Sequence, residues 1–111
     1  MAHLGLVYTI NAAHSGMGSP THGHSFKIEV VFEGPIRGGT VEGLDFHEIR
    51  DRVANVINPL DKGYLNDVID NPTVEGIACH ILEGLKGLPV YSAKVWETAD
   101  RYAEVFASDL A

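Results

Sequence analysis

Cysteine and long apolar runs are what this sequence most conspicuously lacks. Its one cysteine, Cys79, cannot form an internal disulfide, which is typical of proteins from a reducing cytoplasm. No apolar run approaches the roughly 18 residues that a membrane-spanning helix requires. The apolar stretch near the N-terminus covers only residues 4–8 and follows no basic segment, so it does not resemble a secretory signal. We therefore expect a cytoplasmic protein with no membrane partner.

Basic residues are also scarce. Eight lysines and arginines are set against fifteen acidic residues, which gives a formal net charge of −7. The basic residues are scattered, whereas nucleic-acid binding needs a basic patch facing the phosphates, so we exclude nucleic acid as a partner. A hydrophobic fraction of 45% excludes wholesale disorder. A length of 111 residues predicts a single domain, taken as residues 1–111.

Alternating apolar residues predict strands at both ends of the chain. Every second residue is apolar within residues 4–13 and again within residues 26–32. The glycine, serine and proline content of residues 15–21 predicts a loop between these two strands. Residues 90–97 and 102–107 predict a second strand pair that turns around Asp100. The chain thus begins and ends with a predicted hairpin.

The middle of the chain predicts two helices. The first begins at Asp45, which forms a capping-box pattern with Glu48, and it ends at Asn58-Pro59. Its predicted apolar stripe is Phe46, Ile49, Val53, Val56 and Ile57. The second begins near Asn71, with a proline in its first position, and ends near residue 87. Its predicted buried face is Val74, Ile77, Ala78, Ile81, Leu82 and Leu85.

The order of these elements, ββααββ, predicts the fold class. Hairpins at both ends favour a four-stranded antiparallel sheet with two helices on one face, which is an α+β domain. Such a sheet has open edges, and open edges invite pairing with another chain. We therefore expect a homo-oligomer that joins sheets edge to edge.

Three of the six histidines indicate a metal site. His22 and His24 lie two residues apart at the start of a strand, so their side chains share one face at roughly 6.6 Å along the chain. His14 ends the preceding strand, and hairpin pairing would bring it beside them. Three imidazoles with no fourth protein ligand are typical of catalytic zinc, whose fourth position stays open. Two surface histidines of no special function are the simpler alternative for the pair.

A second alternative is a cupin, whose first motif has the spacing of Gly16, His22, His24 and Glu29. In that motif two histidines and a glutamate hold the metal. The closing Gly34 comes too early here, and the second half of the chain predicts helices where a cupin needs strands.

Motifs along nearly the whole chain resemble the 6-pyruvoyl-tetrahydropterin synthase and 6-carboxytetrahydropterin synthase family. The matching segments, in order, are Ala12-Ala13-His14, His22-Gly23-His24-Ser25-Phe26, Asp45-Phe46, Leu60-Asp61, Leu65-Asn66, Pro72-Thr73-x-Glu75 and Glu97-Thr98. The resemblance implies the tunnelling fold, in which subunits join side by side into a barrel with active sites at their junctions. A trimer, a tetramer or a hexamer would each be such an assembly.

The same resemblance implies roles for individual residues. It implies Zn²⁺ on the three histidines and a pterin anchored by Glu97, with further contacts from Thr73 and Glu75. A carboxylate suits that anchor, because it can accept two N–H bonds from the guanidine-like edge of a pterin. Without the resemblance, Glu97 would be an ordinary strand carboxylate, and Thr73 and Glu75 would be ordinary residues of a first helical turn.

The sequence departs from the family at its proton-transfer residues. Residues 15–21 contain neither the family's loop cysteine nor the glutamate that some relatives use there. The family's Leu-Asp-His segment ends here in Lys62 instead of histidine. Asp61 and Lys62 are therefore the remaining candidates for proton handling, with zinc-bound hydroxide as another base.

Two functions follow from this combination. One is a zinc-dependent pterin lyase that cleaves a carbon–oxygen or carbon–carbon bond of dihydroneopterin triphosphate or a related pterin. The other is a homologue that binds zinc and pterin but has altered or lost the synthase reaction.

Overall fold

The first two strands form a long hairpin in the computed structural model, which describes residues 1–16 and 18–110. Strand β1 (Ala2–Gly16) pairs antiparallel with β2 (Ser19–Gly34), in a register that sets His14 opposite His22. The predicted loop at residues 15–21 is wrong at both ends, because strand structure continues to Gly16 and resumes at Ser19. Gly16 adopts a φ of 140°, which lets the chain leave β1 without a long loop. Met17, within that predicted loop, lies outside the described residues.

Four strands form one antiparallel sheet. A short hairpin that was not predicted, β3 (Ile36–Arg37) with β4 (Thr40–Val41), follows β2. The C-terminal hairpin consists of β5 (Val90–Thr98) and β6 (Arg101–Phe106). The sheet order is β1-β2-β5-β6, so β5 lies beside β2. The predicted α+β class is confirmed.

Both helices begin at a side-chain cap. Helix α1 (Phe46–Ile57) is capped by Asp45, whose carboxylate accepts the N–H groups of His47 and Glu48, as the sequence predicts. Helix α2 (Val74–Gly84) is capped by Thr73. The predicted start near Asn71 is therefore wrong. The Thr73 hydroxyl accepts an N–H of the first turn and so fixes the helix start two residues later.

The core lies between the helices and one face of the sheet. Both helices contribute the apolar stripes that their spacing predicts, except that Phe46 is 46% exposed. The first helical residue of α1 thus points away from the stripe. The largest fully buried side chains include Phe26, Phe32, Ile28, Ile49, Ile57, Leu60, Leu65, Ile77, Ile81 and Leu85. Among the described residues no helix is both long enough and apolar enough to cross a bilayer.

The connection between the helices covers part of the free edge of β1. Asn11 donates its backbone N–H to the Asp61 carboxylate at 2.9 Å, and its carbonyl accepts the Lys62 N–H at 2.6 Å. Ala13 donates to the Gly63 carbonyl at 3.0 Å. Residues 61–64 therefore follow the end of β1 as a short parallel neighbour, which holds the following segment against the histidine end of the hairpin.

Candidate functional site

Three imidazoles meet at the turn end of the β1–β2 hairpin. His14, His22 and His24 lie on the face of the sheet that also carries the buried Phe26, because side chains two residues apart share a face. The ring centroids are 4.6 Å apart for His14 and His22, 5.4 Å for His14 and His24, and 4.7 Å for His22 and His24. The structure thus brings together the three residues that the spacing predicts.

Backbone carbonyls fix the tautomers of two rings. His14 Nδ1 lies 2.6 Å from the Pro72 carbonyl oxygen, and His22 Nδ1 lies 2.8 Å from the Pro20 carbonyl oxygen. A carbonyl only accepts, so each Nδ1 carries the hydrogen and each neutral ring keeps its lone pair on Nε2. A backbone carbonyl in this position is typical of metal-ligating histidines, because it fixes both ring orientation and tautomer.

The free lone pairs face each other. The Nε2 atoms of His14 and His22 are 3.0 Å apart, and His24 Nε2 is buried with no partner in hydrogen-bond geometry among residues 1–16 and 18–110. Two lone pairs at this distance repel each other unless a cation lies between them. Two nitrogens on one tetrahedral zinc would be roughly 3.3 Å apart, given Zn–N bonds of about 2.0–2.1 Å. The donor set and its spacing therefore fit a zinc ion.

Glu97 adds a carboxylate to the cluster. It lies near the end of β5, and its Oε1 is 3.3 Å from His24 Nε2. One donor atom from each histidine and one from Glu97 all lie within 4.8 Å of one another. The sequence analysis expected no fourth protein donor, so this carboxylate is an addition to the predicted set. Glu97 also forms an ion pair with Arg101, across the β5–β6 turn.

The surroundings of His24 favour the neutral ring. Burial lowers the pKa of His24 below its ordinary value near 6.5, and the nearby His22, His14 and Arg101 lower it further. Glu97 opposes this shift because a carboxylate stabilises the imidazolium. The net lowering keeps the ring in the form that binds metal.

A cleft of about 400 Å³ opens beside the cluster. Five of the predicted site residues line it, namely His14, His22, Thr73, Glu75 and Glu97. Thr73 already accepts the Gly76 N–H at 3.0 Å, so its hydroxyl hydrogen remains available to a bound molecule. Glu97 is only 13% exposed in its side chain and faces this cleft rather than bulk solvent.

Asp61 and Lys62 lie elsewhere. Neither lines this cleft; the Asp61 carboxylate accepts a backbone N–H of β1, and Lys62 lines a second, more open depression together with His24. Lys62 has a φ of 62°, a left-handed conformation that is uncommon for residues with a side chain and frequent at functional sites. The structure therefore does not bring the two proton-handling candidates to the cleft that holds the metal and pterin candidates.

Six residues that line the cleft were not predicted as site residues, and two of them, Arg101 and Ser15, have side-chain partners there. Arg101 lines the cleft and is paired with Glu97, and only the strand turn, which places both at one end of the hairpin, could have indicated this. Ser15 also lines the cleft, and its hydroxyl oxygen is 2.6 Å from the hydroxyl oxygen of Tyr64. The sequence analysis considered no partner for Ser15, because a contact between residues 49 apart leaves no local signal.

Comparison with known proteins shows which family this chain is similar to. The family model described as 6-pyruvoyl tetrahydropterin synthase matches residues 6–108. The chain is 36% identical over 109 residues to a putative 6-carboxy-5,6,7,8-tetrahydropterin synthase of Archaeoglobus fulgidus, covering 92% of this chain and 93% of the relative. It is 46% identical over 69 residues to a dihydroneopterin monophosphate aldolase of Pyrococcus furiosus, covering 61% and 59%.

A solved structure shares the fold. The 6-pyruvoyl tetrahydropterin synthase of Caenorhabditis elegans superposes with a TM-score of 0.80 at 17% identity, covering 95% of this chain and 94% of that one.

Proposed function

We propose that this chain, which belongs to the 6-pyruvoyl tetrahydropterin synthase family, is a zinc-dependent lyase of dihydropterins. Its substrate class is a dihydropterin with a phosphorylated, oxygenated three-carbon side chain. The single observation that carries the proposal is the convergence of the three Nε2 atoms beside a cleft lined by Glu97 and Thr73. Within the family we favour cleavage of a carbon–carbon bond, as in an aldolase acting on dihydroneopterin monophosphate.

The described residues place no thiol at the cleft, and this supports cleavage of a carbon–carbon bond. The chain's one cysteine, Cys79, lies in α2 and does not line the cleft. The synthase reactions that the family resemblance implies remove a proton from carbon. That step needs a strong and well-placed base. Aldol cleavage begins with a proton on oxygen, which is far more acidic. The partial match to a relative named an aldolase supports the same choice.

The proposed reaction is a retro-aldol cleavage. The hydroxyl on the second side-chain carbon loses its proton, and that carbon becomes the carbonyl of glycolaldehyde phosphate. The electron pair of the broken bond passes to the first carbon and into the conjugated C=N bond of the ring. The first carbon then takes up a proton, which yields 6-hydroxymethyl-dihydropterin. Zinc held by His14, His22 and His24 would supply Lewis-acid polarisation of the side-chain oxygens.

The remaining cleft residues have roles that their charges support. Glu97 accepts the guanidine-like edge of the pterin, and Thr73 and Glu75 make further ring contacts. Arg101, whose side chain is 65% exposed at the edge of the cleft, offers a fork-shaped cation to the phosphate. A substrate that hydrogen-bonds to the Glu97 carboxylate would release Arg101 from its ion pair with Glu97.

Assembly of several subunits completes the proposal. Strand β6 and the first half of β1 present open edges, and edge-to-edge pairing into a trimer, a tetramer or a hexamer would cover them. Asp61 and Lys62 stay proposed as proton-handling residues, and Lys62 shares its depression with the ligand candidate His24.

A binding protein is the second candidate. The missing cysteine and the lysine at position 62 favour it, since a chain could keep zinc and pterin while losing the proton shuttle. In that case the cleft would bind dihydropterins tightly and release them unchanged.

Turnover separates the two candidates. Zinc-loaded protein is incubated with dihydroneopterin monophosphate and, separately, the triphosphate, and the pterins are separated by chromatography. We expect 6-hydroxymethyl-dihydropterin from the monophosphate. Tight binding without product would establish the binding protein, and a chain that takes up neither zinc nor pterin would contradict both.

Matched variants assign the residues. His22→Ala is expected to lose zinc and turnover, whereas His47→Ala, at an exposed position of α1, is expected to keep both. Glu97→Gln is expected to keep zinc and weaken pterin binding. Loss of zinc in Glu97→Gln would instead make the carboxylate a metal ligand.

A further inference from the structure

Ser15 lies opposite an irregularity in the strand pairing. The β1–β2 register is regular up to His14 opposite His22 and resumes at Gly16 opposite Ser19, so Pro20 and Thr21 of β2 together face the single residue Ser15. Two residues of one strand opposite one residue of its partner form a bulge, and bulges are common beside active sites. Ser15 lines the cleft directly next to the metal-ligand candidate His14.

Asn66 takes the place of a strand partner for Ser15 at the free edge of β1. Its side-chain oxygen accepts the Ser15 N–H at 2.9 Å, and its side-chain nitrogen donates to the Ser15 carbonyl at 3.0 Å. One amide therefore satisfies both backbone groups of a residue that the ladder leaves unpaired. Two hydrogen bonds therefore hold the backbone of Ser15.

Tyr64 supplies the partner that a serine hydroxyl needs for proton transfer. The two hydroxyl oxygens are 2.6 Å apart, a short hydrogen bond. Tyr64 is itself held by backbone pairing with Ala13 and stays 38% exposed, so its hydroxyl can exchange protons with water. The pair thus forms a chain from solvent, through the phenol, to the hydroxyl of a residue that lines the cleft.

We infer that Ser15 is the residue that protonates carbon in the cleavage proposed above, with Tyr64 positioning its hydroxyl and returning its proton. The inference rests on the proposed function. After the carbon–carbon bond breaks, the first side-chain carbon takes the proton of the Ser15 hydroxyl. Tyr64 passes its proton to the serine oxygen and regains one from water. The proton lost by the substrate hydroxyl goes to solvent, so protons balance over the cycle.

Other candidates for this role are less well placed. Lys62 lines the second depression and not the cleft, and Cys79 lies within α2 away from it. Glu97 is held in the cluster by Arg101 and His24. Ser15 combines a place at the cleft with a hydroxyl partner that can relay protons.

Steady-state kinetics of Ser15→Ala, Tyr64→Phe and the double variant test the pair. We expect kcat to fall about 100-fold or more in each single variant, since acid–base groups typically contribute about 10²–10⁴. KM and bound zinc should stay unchanged, and the double variant should lose no more than the worse single variant, because the two hydroxyls act as a unit. Tyr102→Phe, at an exposed tyrosine of β6, is the control with wild-type kinetics.

A second readout isolates the proton-transfer step. The wild-type protein in D₂O should exchange the hydroxymethyl protons of 6-hydroxymethyl-dihydropterin, followed by NMR, because the reverse step removes a proton from that carbon. Ser15→Ala and Tyr64→Phe should lose this exchange while binding the pterin normally. A merely structural role for the pair would lower binding and zinc content together.

The outcomes separate this inference from the proposed function. Cleavage by the wild type with full kcat in both single variants would overturn the inference alone. Loss of kcat in Lys62→Ala with normal kcat in Ser15→Ala would assign the donor to the lysine, which also overturns it. A wild type that neither cleaves the carbon–carbon bond of dihydroneopterin monophosphate nor exchanges the hydroxymethyl protons of the product would overturn both.

Discussion

Gly76→Ala is expected to damage the fold and the metal site together. Gly76 lies in the first turn of α2, where its N–H donates to the Thr73 hydroxyl. A methyl group added at this glycine would lie far inside van der Waals contact with the Asn71 carbonyl. That oxygen is backbone, so relief requires movement of the segment before the helix rather than rotation of a side chain.

The moving segment contains a carbonyl on which the metal site depends. Pro72, between Asn71 and Thr73, accepts the His14 Nδ1 hydrogen, so a shift there loosens the ring that faces His22. Loss of such an outer contact typically costs about 10–100-fold in metal affinity. We expect zinc binding by Gly76→Ala to weaken by that factor.

Three effects set the expected loss of stability, one stabilising and two destabilising. Alanine is ordinarily better than glycine within a helix by about 1 kcal/mol. Overpacking against backbone costs about 1–3 kcal/mol, and disturbing the cap costs about 1 kcal/mol more. We expect a net loss of about 2 kcal/mol, which lowers the Tm by roughly 8 °C in a domain of this size.

Thermal unfolding and zinc titration measure both effects on one sample. Gly5→Ala is the matched control, because a methyl there meets no atom closer than 4.0 Å. A Gly76→Ala protein with the Tm and zinc affinity of the wild type would show that the contact with the Asn71 carbonyl constrains neither the fold nor the metal site. A lower Tm with unchanged zinc affinity would refute the link between Pro72 and His14.

Three further predictions concern pH, capping and the edge of β1. In metal-free protein the pKa of His24 is lower in the folded chain than in the unfolded chain, so the unfolded chain is protonated at higher pH. The free energy of unfolding should therefore fall as pH drops through about 6.5. His24→Gln should flatten that slope in urea unfolding. Asp45→Ala should cost about 1 kcal/mol in the same assay, against a smaller loss for Asp51→Ala at an exposed position of the same helix. Asp61→Ala should lower the free energy of unfolding by about 1 kcal/mol, because the Asn11 N–H loses its acceptor. Asp61→Asn keeps an acceptor oxygen and should keep the stability. Equal losses in the two variants would show that this hydrogen bond contributes nothing.

Periodicity and caps were enough to predict the architecture. The alternation at residues 26–32 and the helical spacing after Asp45 are local signals, and the structure confirms both elements. The boundary errors come from tertiary hydrogen bonding. Residues 19–21 have loop composition, yet pairing with β1 draws Ser19 into the strand, and Thr73 displaces Asn71 as the cap.

The histidine cluster was predictable because its members are close in sequence. His14 and His22 occupy opposed positions of one hairpin, so strand pairing alone brings them together. Glu97 and Arg101 reach the same cleft from the other hairpin, and for Glu97 only the family resemblance indicated a role. The contacts of Ser15 with Tyr64 and Asn66 span 49 and 51 residues, and they depend on how residues 61–67 pack along β1.

X-ray absorption at the zinc edge of the zinc-loaded protein counts the imidazole ligands of the metal. We expect one zinc per chain with three imidazole nitrogens at about 2.0–2.1 Å, completed by oxygen. A protein that takes up no zinc, or a zinc shell that keeps its imidazole scattering after His14 and His22 are both replaced by alanine, would contradict this expectation.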